Sequence, residues 1–181
     1  MSTKRFIIQN VILVIVVTGS LFTYKFFFEK KVAMVNLGEV YKKFEYTSVM
    51  EKKAELTMNA RNNILDSMKL DLETDYRRIK SMANSSDEIK KAEVEQFTIK
   101  RQEFLDRKGS FEKSNTEMME QYEKQIWTQI NKYIEDYGKE KGVGIIVGGN
   151  GSGNVMYSDD SFDLTEDVVA YINSKYKGID N

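Results

Sequence analysis

The chain has 181 residues, with 27 basic and 28 acidic side chains and a formal net charge of -1. It contains no histidine and no cysteine, which excludes a Ser–His–Asp triad, a Cys–His pair and a zinc site of the usual Cys/His type. The balanced charge differs from the basic excess of a nucleic-acid-binding protein. We therefore expect no enzyme activity, no metal or cofactor site and no nucleic-acid partner.

The first predicted element is a membrane anchor in residues 1–28. Lys4 and Arg5 precede an apolar run from Phe6 to Tyr24, close to the roughly 20 residues that a helix needs to span a bilayer. A cleaved signal peptide, which would leave a soluble periplasmic protein, is the alternative, but its apolar region is usually shorter and ends at a small-residue cleavage site. The weak candidate site before Ser20 is followed by more apolar residues, so we expect an uncleaved anchor.

A very long helical pattern follows the anchor. The apolar run 32–36 predicts a strand, and the helical pattern begins at Glu39. From there to Tyr137 the chain has one glycine, Gly109, and no proline, so the helix breakers that a compact domain needs at its turns are missing. Residues 84–87 interrupt the pattern, and Ser85 with Glu88 forms a capping box. The sequence therefore predicts an antiparallel helical hairpin over residues 39–141.

A seven-residue apolar repeat predicts the seam of this hairpin, because such a repeat keeps one face of each helix towards its partner. The outer faces carry acid-first ion pairs four residues apart, such as Glu73 with Arg77 and Glu135 with Lys139, which are typical of solvated helix surfaces. The predicted seam residues are Met58, Leu65, Leu72 and Ile79 in the first helix and Phe97, Phe104, Phe111 and Met118 in the second.

The C-terminal segment predicts two strands within residues 143–158 and a helix over residues 163–177. The apolar run 143–147 is typical of a strand buried on both faces, and residues 155–158 are interpreted as a second strand after a glycine-rich turn. A phosphate-binding loop would lead into a helix and carry a lysine, so we prefer the turn. Asp163 with Glu166 predicts the start of the helix and Gly178 its end.

Two residue groups allow a functional interpretation beside a structural one. Asp159, Asp160 and Asp163 could suggest calcium, but they lack the spacing of a calcium loop, and turn or helix-cap chemistry explains them better. Trp127 is most simply interpreted as a residue that packs where the helices meet the sheet. The alternative is that it belongs to an exposed client-binding patch. The predicted fold class is α+β, with a small β body from the N- and C-terminal strands and a long coiled-coil hairpin.

Three stretches resemble the OmpH/Skp family of periplasmic chaperones: residues 32–36, residues 80–87 at the predicted hairpin tip, and the block 144–168. The resemblance covers about residues 32–177. Within the family, the chain is especially similar to the Bacteroidetes-like branch, whose members keep an N-terminal anchor. It implies a homotrimer whose strands build a central β body, while three helical arms hold unfolded outer-membrane proteins without ATP. The residues assigned to that β body are Val32, Met34, Ile145, Val147, Val155 and Tyr157.

The charge of the predicted arms differs from that of the family's soluble members, which have basic arms. Residues 45–141 contain 18 basic and 20 acidic residues, so we do not expect clients to be captured mainly by charge. An anchored coiled-coil scaffold or spacer of an envelope complex is the alternative function. That alternative explains the anchor and the helices, but it gives the strands no role.

Overall fold

The computed structural model describes residues 11, 13–20, 31–82, 85–149 and 155–179. The predicted anchor, residues 1–28, lies mostly outside the described residues, and its described part, residue 11 and residues 13–20, is helical. Within the described ranges, no helix has both the length and the hydropathy required to cross a bilayer. Most of the predicted glycine-rich turn, residues 150–154, also lies outside the described residues.

The described chain is mostly helical, with a small sheet. Its elements follow the predicted order of strand, helical hairpin, two strands and last helix, except that the second of those two strands is absent from the described residues. In chain order they are β1 (Lys31–Asn36), α1 (Leu37–Lys43), α2 (Glu45–Ser81), α3 (Asp87–Lys141), β2 (Val143–Gly149), a 3-10 turn (Asp160–Phe162) and α4 (Thr165–Ile179).

Two compact units make up the chain, and several elements contribute to both. The sheet unit comprises Met1–Val40 and Tyr133–Tyr171, and the arm unit comprises Tyr41–Lys132 and Ile172–Asn181. Each has its own apolar core. The buried apolar residues of the sheet unit are Ala33, Val35, Val40, Tyr133, Tyr137, Val168 and Val169, and those of the arm unit are Phe44, Met50, Ala54, Ile126, Ile130 and Ile172.

The sheet of the sheet unit consists of β1 and β2, which run parallel, with Val32 level with Ile145 and Met34 level with Val147. The chain after the 3-10 turn lies beside β1, where the Leu164 N–H donates to the Met34 carbonyl over 2.9 Å. One residue further, the hydroxyl of Thr165 accepts the N–H of Asn36 over 2.9 Å. The start of α4 is thereby joined to the end of β1.

The prediction of a strand over residues 155–158 is wrong: the structure has no strand there. The Met156 and Tyr157 side chains are 89% and 84% exposed, so the segment lacks the burial that is the main source of strand preference. The prediction rested on the apolar residues 155–157 and on the glycine-rich turn before them. β2 finds its partner instead in β1, across the whole helical hairpin.

Within this chain β2 is not buried on both faces, although its apolar run is typical of such a strand. Ile145 is 58% exposed and Val147 is 37% exposed. The opposite face is partly covered, and at Gly148 an added Cβ would come within 2.5 Å of the Leu37 side chain. An apolar run therefore identified the strand correctly but could not tell how many of its faces are covered.

The helix ends lie close to the predicted positions but not at them. α3 begins at Asp87, one residue later than the predicted capping box implies, and the Lys90 N–H donates to the Ser86 carbonyl. α4 begins at Thr165, because the Asp163 carboxylate accepts the Thr165 N–H over 2.8 Å and holds Asp163 outside the helix. The same helix continues through Ile179, so Gly178 does not end it.

A break at Phe44 divides the first predicted helix into α1 and α2. Phe44 has an extended backbone (φ -75°, ψ 120°) and is fully buried, with its ring 5.8 Å from that of Tyr176. The Asn173 side chain spans the break, since its amide donates to the Lys43 carbonyl over 3.0 Å and its oxygen accepts the Glu45 N–H over 2.8 Å. One side chain thus replaces backbone bonds that a continuous helix would make.

We expect Asn173→Ala to destabilise the protein by about 1–2 kcal/mol, because it removes both hydrogen bonds at the break. Ser174→Ala, on an exposed neighbouring position of the same helix, is the matched control and should leave stability nearly unchanged. Urea unfolding followed by circular dichroism measures both. Equal midpoints for Asn173→Ala and the parent would show that the Asn173 bonds do not stabilise the break.

Candidate functional site

The two strands give the sheet unit one buried face and one exposed apolar face. Side chains along a strand alternate between the faces. Accordingly Ala33 and Val35 are 5% and 0% exposed, whereas Val32 is 49% exposed and Met34 is half-buried. The parallel register places Ile145 and Val147 beside Val32 and Met34. The exposed face is therefore a continuous apolar patch.

A cavity of about 340 Å³ lies against this face. Five of the six residues predicted for the β body line it, and the sixth, Ile145, lies on the same face through its register with Val32. The five are Val32, Met34, Val147, Val155 and Tyr157. The structure thus brings all six predicted residues together, with Val155 and Tyr157 contributed by an irregular segment.

Phe162 lines the same cavity and is 48% exposed, and the sequence interpretation missed it. It ends the 3-10 turn, which the neighbouring Asp159 holds by accepting the Ser161 N–H over 3.0 Å. The Ser161 hydroxyl donates to the same carboxylate over 2.6 Å. This side-chain bond, with the backbone bond, lowers the pKa of the Asp159 carboxyl. An isolated aromatic residue inside an acidic, turn-forming segment was the available signal.

No group of three potential metal-ligating side chains occurs among the residues that the structure describes. Asp159 and Asp163 instead hold local turns, as their bonds to Ser161 and Thr165 show. Trp127 is half-buried and lies 5.3 Å from Tyr41, measured between ring centroids. Within the arm unit, Trp127 therefore packs against a tyrosine of α1.

In the arm unit, contacts between α2 and α3 define an antiparallel register. Towards one end the Tyr46 hydroxyl lies 3.3 Å from the Gln125 side-chain oxygen, and the Arg61 guanidinium donates to Asn115. Farther along, the Tyr76 ring lies 6.3 Å from that of Phe97. Residue numbers rise on one helix as they fall on the other, as in the predicted hairpin.

Because both helices carry the predicted seam residues at seven-residue spacing, this register brings the eight residues to four approximately matching levels. All eight are half-buried. A two-helix arm cannot bury a side chain completely where no third element covers the seam, so partial burial is the expected result. The four levels are Met58 with Met118, Leu65 with Phe111, Leu72 with Phe104, and Ile79 with Phe97.

A polar cluster joins the two arm helices beyond the midpoint of α2. The Asp75 side chain, 13% exposed, accepts hydrogen bonds from Lys100 over 2.6 Å and from Arg78 over 2.8 Å. Arg78 also contacts Glu93 on α3 over 2.8 Å. The hydrogen bond from Lys100 is the main reason that the pKa of Asp75 lies below its ordinary value of 3.8.

Apolar side chains are also exposed along the length of both arm helices. They are spread over the surface rather than gathered into one patch, and each is 43–63% exposed. On α2 they are Val49, Leu56, Ile64, Leu70 and Tyr76, and on α3 they are Ile89, Val94, Ile99, Leu105 and Met119.

A long helical hairpin combined with a small two-stranded parallel sheet defines the class of fold to which the chain belongs. The sequence model of the OmpH family, described as "Outer membrane protein (OmpH-like)", matches residues 31–172. This match includes both strands, the whole hairpin and the start of α4. The chain therefore belongs to the OmpH-like outer membrane protein family.

Comparisons with individual proteins agree with this assignment. The chain is 25% identical over 144 residues to the chaperone protein Skp of Salmonella typhimurium strain LT2, and equally to that of Salmonella typhi, covering 78% of this chain and 86% of each relative. It is also similar to the crystal structure of an OmpH-like protein from Caulobacter crescentus CB15, with a TM-score of 0.71 at 12% identity. That alignment covers 81% of this chain and 86% of the other, and shows a shared fold.

We expect the Asp75 cluster to stabilise the arm unit at neutral pH and to lose this effect in acid. Because the folded-state pKa of Asp75 is lowered, its contribution is present above the unfolded value and disappears as pH falls through the folded value. Asp75→Asn should therefore lower the urea midpoint at pH 7, and the difference from the parent should shrink progressively below about pH 4.

Asp71→Asn, an equal charge change at an exposed position on the same helix, is the control. Its urea midpoint should stay close to the parent value at pH 7. A constant difference between parent and Asp75→Asn from pH 7 to pH 2 would show that the Asp75 carboxylate is not what stabilises the arm.

Proposed function

We propose that this protein is an ATP-independent holdase chaperone of the cell envelope of a Gram-negative bacterium. Its clients are unfolded outer-membrane proteins, which it holds between helical arms. The observation that carries the proposal is the match to Skp chaperones over most of both chains, together with the OmpH family match over residues 31–172, which include the hairpin and both strands. An anchored scaffold would need the hairpin but not the strands.

The arms suit clients that share no common sequence. Unfolded β-barrel proteins expose alternating apolar residues that pair edge to edge and aggregate. The scattered, half-exposed apolar side chains of α2 and α3 offer many weak contacts rather than one specific pocket. Flexible methionines at several arm positions can adapt to different clients.

The apolar face of the sheet supports a homotrimer in which copies of this face meet. A two-stranded sheet is too small to be stable alone, and exposed apolar patches of this kind usually mark interaction sites. Val32, Ile145 and Val147, all at least partly in water here, would then be buried. Three arms, each a pair of antiparallel helices, would surround the space in which a client is held.

The proposal also places the main domain in the periplasm, held at the inner membrane by residues 1–28. The long apolar run after Lys4 and Arg5 supports it. We expect intact-mass measurement of membrane-extracted protein to give the uncleaved chain. Recovery of a soluble periplasmic chain that starts near Ser20 would instead establish signal cleavage.

We expect Ile145→Asp to dissociate the trimer, because assembly would bury a carboxylate without a partner at a cost of several kcal/mol. Analytical ultracentrifugation should then show monomer while circular dichroism still shows the helices. Glu140→Asp, a conservative change at an exposed position, should leave sedimentation unchanged. A variant Ile145→Asp that sediments as the parent does would rule out the sheet face as the assembly site.

We expect the protein to suppress aggregation of a denatured outer-membrane β-barrel in light-scattering assays, with no effect of ATP. Deleting residues 69–75 and 98–104 removes one heptad from each helix, and the levels Ile79 with Phe97 and Met58 with Met118 remain matched. The shortened arms should protect large clients less than small ones, since they enclose less space. Protection should fall only modestly as salt rises, because the arms are nearly neutral.

Two results would contradict this mechanism. Equal protection of large clients by the parent and the shortened arms would exclude enclosure. A steep loss of protection with salt would show that charge captures the clients. Chemical crosslinking counts the subunits, and a pull-down tests whether they retain unfolded client. An assembled oligomer that retains no client would favour the scaffold alternative.

A further inference from the structure

A groove of about 370 Å³ opens on the arm unit, lined by residues of α1 and α2 from Tyr41 to Met58 and of α3 from Asn115 to Ile126. Ala54 explains its presence. Ala54 is 3% exposed and lies one helical turn from both Met50 and Met58. Its methyl group leaves empty the space that a larger side chain would fill at that level.

The groove combines a soft apolar interior with an acidic border. Met50, Met58 and Met119 line it, and unbranched methionines adjust to side chains of different shape. Three exposed carboxylates, Glu51, Glu120 and Glu123, line it as well, and its lining residues include no lysine or arginine.

The electrostatic effect of this border is visible at Tyr41. Burial is the main reason that the Tyr41 pKa is raised, and the negative charges of Glu51 and Glu123 raise it further. The groove therefore favours a positive charge near its apolar interior. Lys53, whose ammonium lies 6.0 Å from the centroid of the Tyr122 ring, is a nearby cation that would compete at one border.

We propose that this groove binds a large apolar side chain of an unfolded client that stands next to an arginine or lysine. The inference rests on the proposed holdase function and adds a preferred client sequence to it. The apolar side chain enters beside Ala54 and contacts the methionines, while the neighbouring cation lies against the glutamates. A volume of about 370 Å³ accommodates one aromatic side chain with part of its backbone.

Trp127 provides a reporter for this binding, because it is the single tryptophan of the chain and its ring lies 5.3 Å from that of Tyr41, which lines the groove. The probe is an acetylated Gly/Ser heptapeptide with a central Phe–Arg pair, added to the 181-residue chain. Trp127 fluorescence should change saturably with this peptide. Peptides with Phe–Glu or Ala–Arg at the centre should bind at least about threefold more weakly.

Two variants test the two parts of the groove separately. Ala54→Met fills the interior and should abolish the fluorescence response, whereas Ala60→Met, at an exposed position of the same helix, should not. The triple variant Glu51→Gln, Glu120→Gln and Glu123→Gln leaves the packing intact and should weaken Phe–Arg binding about fivefold. The matched triple Glu55→Gln, Glu95→Gln and Glu103→Gln, at exposed positions outside the groove, should keep the parent affinity.

Equal affinity for the Phe–Arg and Phe–Glu peptides, or an undiminished response in Ala54→Met, would overturn the proposal. A changed sedimentation coefficient in Ala54→Met without a change in peptide affinity would assign the groove to a second copy instead and also overturn it. The same variants are assayed for suppression of aggregation. Suppression without peptide binding refutes the groove alone, and peptide binding without suppression refutes the holdase function while the groove stands.

Discussion

The parallel pairing of β1 with β2 is the constraint on which the rest of the fold depends. The paired residues Val32 and Ile145 are more than one hundred positions apart in the sequence, and the whole helical hairpin lies between them. Parallel strands require a crossover connection, and here that connection is the hairpin itself. The loop-closure entropy of such a long connection rises only slowly with its length, so the hairpin can be long without preventing the pairing.

The sequence predicted the elements that depend on local pattern. The heptad spacing predicted a seam, and the eight residues assigned to it are half-buried in the structure, as a two-helix arm allows. The break at Phe44 could not be predicted from local pattern. The side chain that bridges it, Asn173, is 128 residues from Glu45, whose N–H it accepts. Distant pairing also decided the outcome for residues 155–158. Their apolar pattern is that of a strand, but in the described chain β2 pairs with the distant β1 instead.

The β body itself stays a prediction, but the structure shows why the residues assigned to it share one face. Alternation along β1 separates Val32 and Met34 from the buried Ala33 and Val35, and only the parallel register then adds Ile145 and Val147 to the same face. Residue type alone identified these positions as apolar. Their common exposure, and the contribution of Phe162 to the same cavity, depend on the register and on the turn that Asp159 holds.

Under the proposed function, the two kinds of exposed apolar surface suit two kinds of partner. The sheet face has a fixed geometry, since its side chains stand on hydrogen-bonded strands, and a fixed surface suits an identical copy that always presents the same shape. The arm surface is divided among side chains on two thin helices, with a polar cluster at Asp75 supplying part of the interhelical contact. Such a surface makes weak contacts one at a time, which suits clients that differ in sequence and must later be released. The groove beside Ala54 is intermediate in specificity between the sheet face and the arm surface. Its methionines tolerate many apolar side chains, while its carboxylates favour a cationic neighbour.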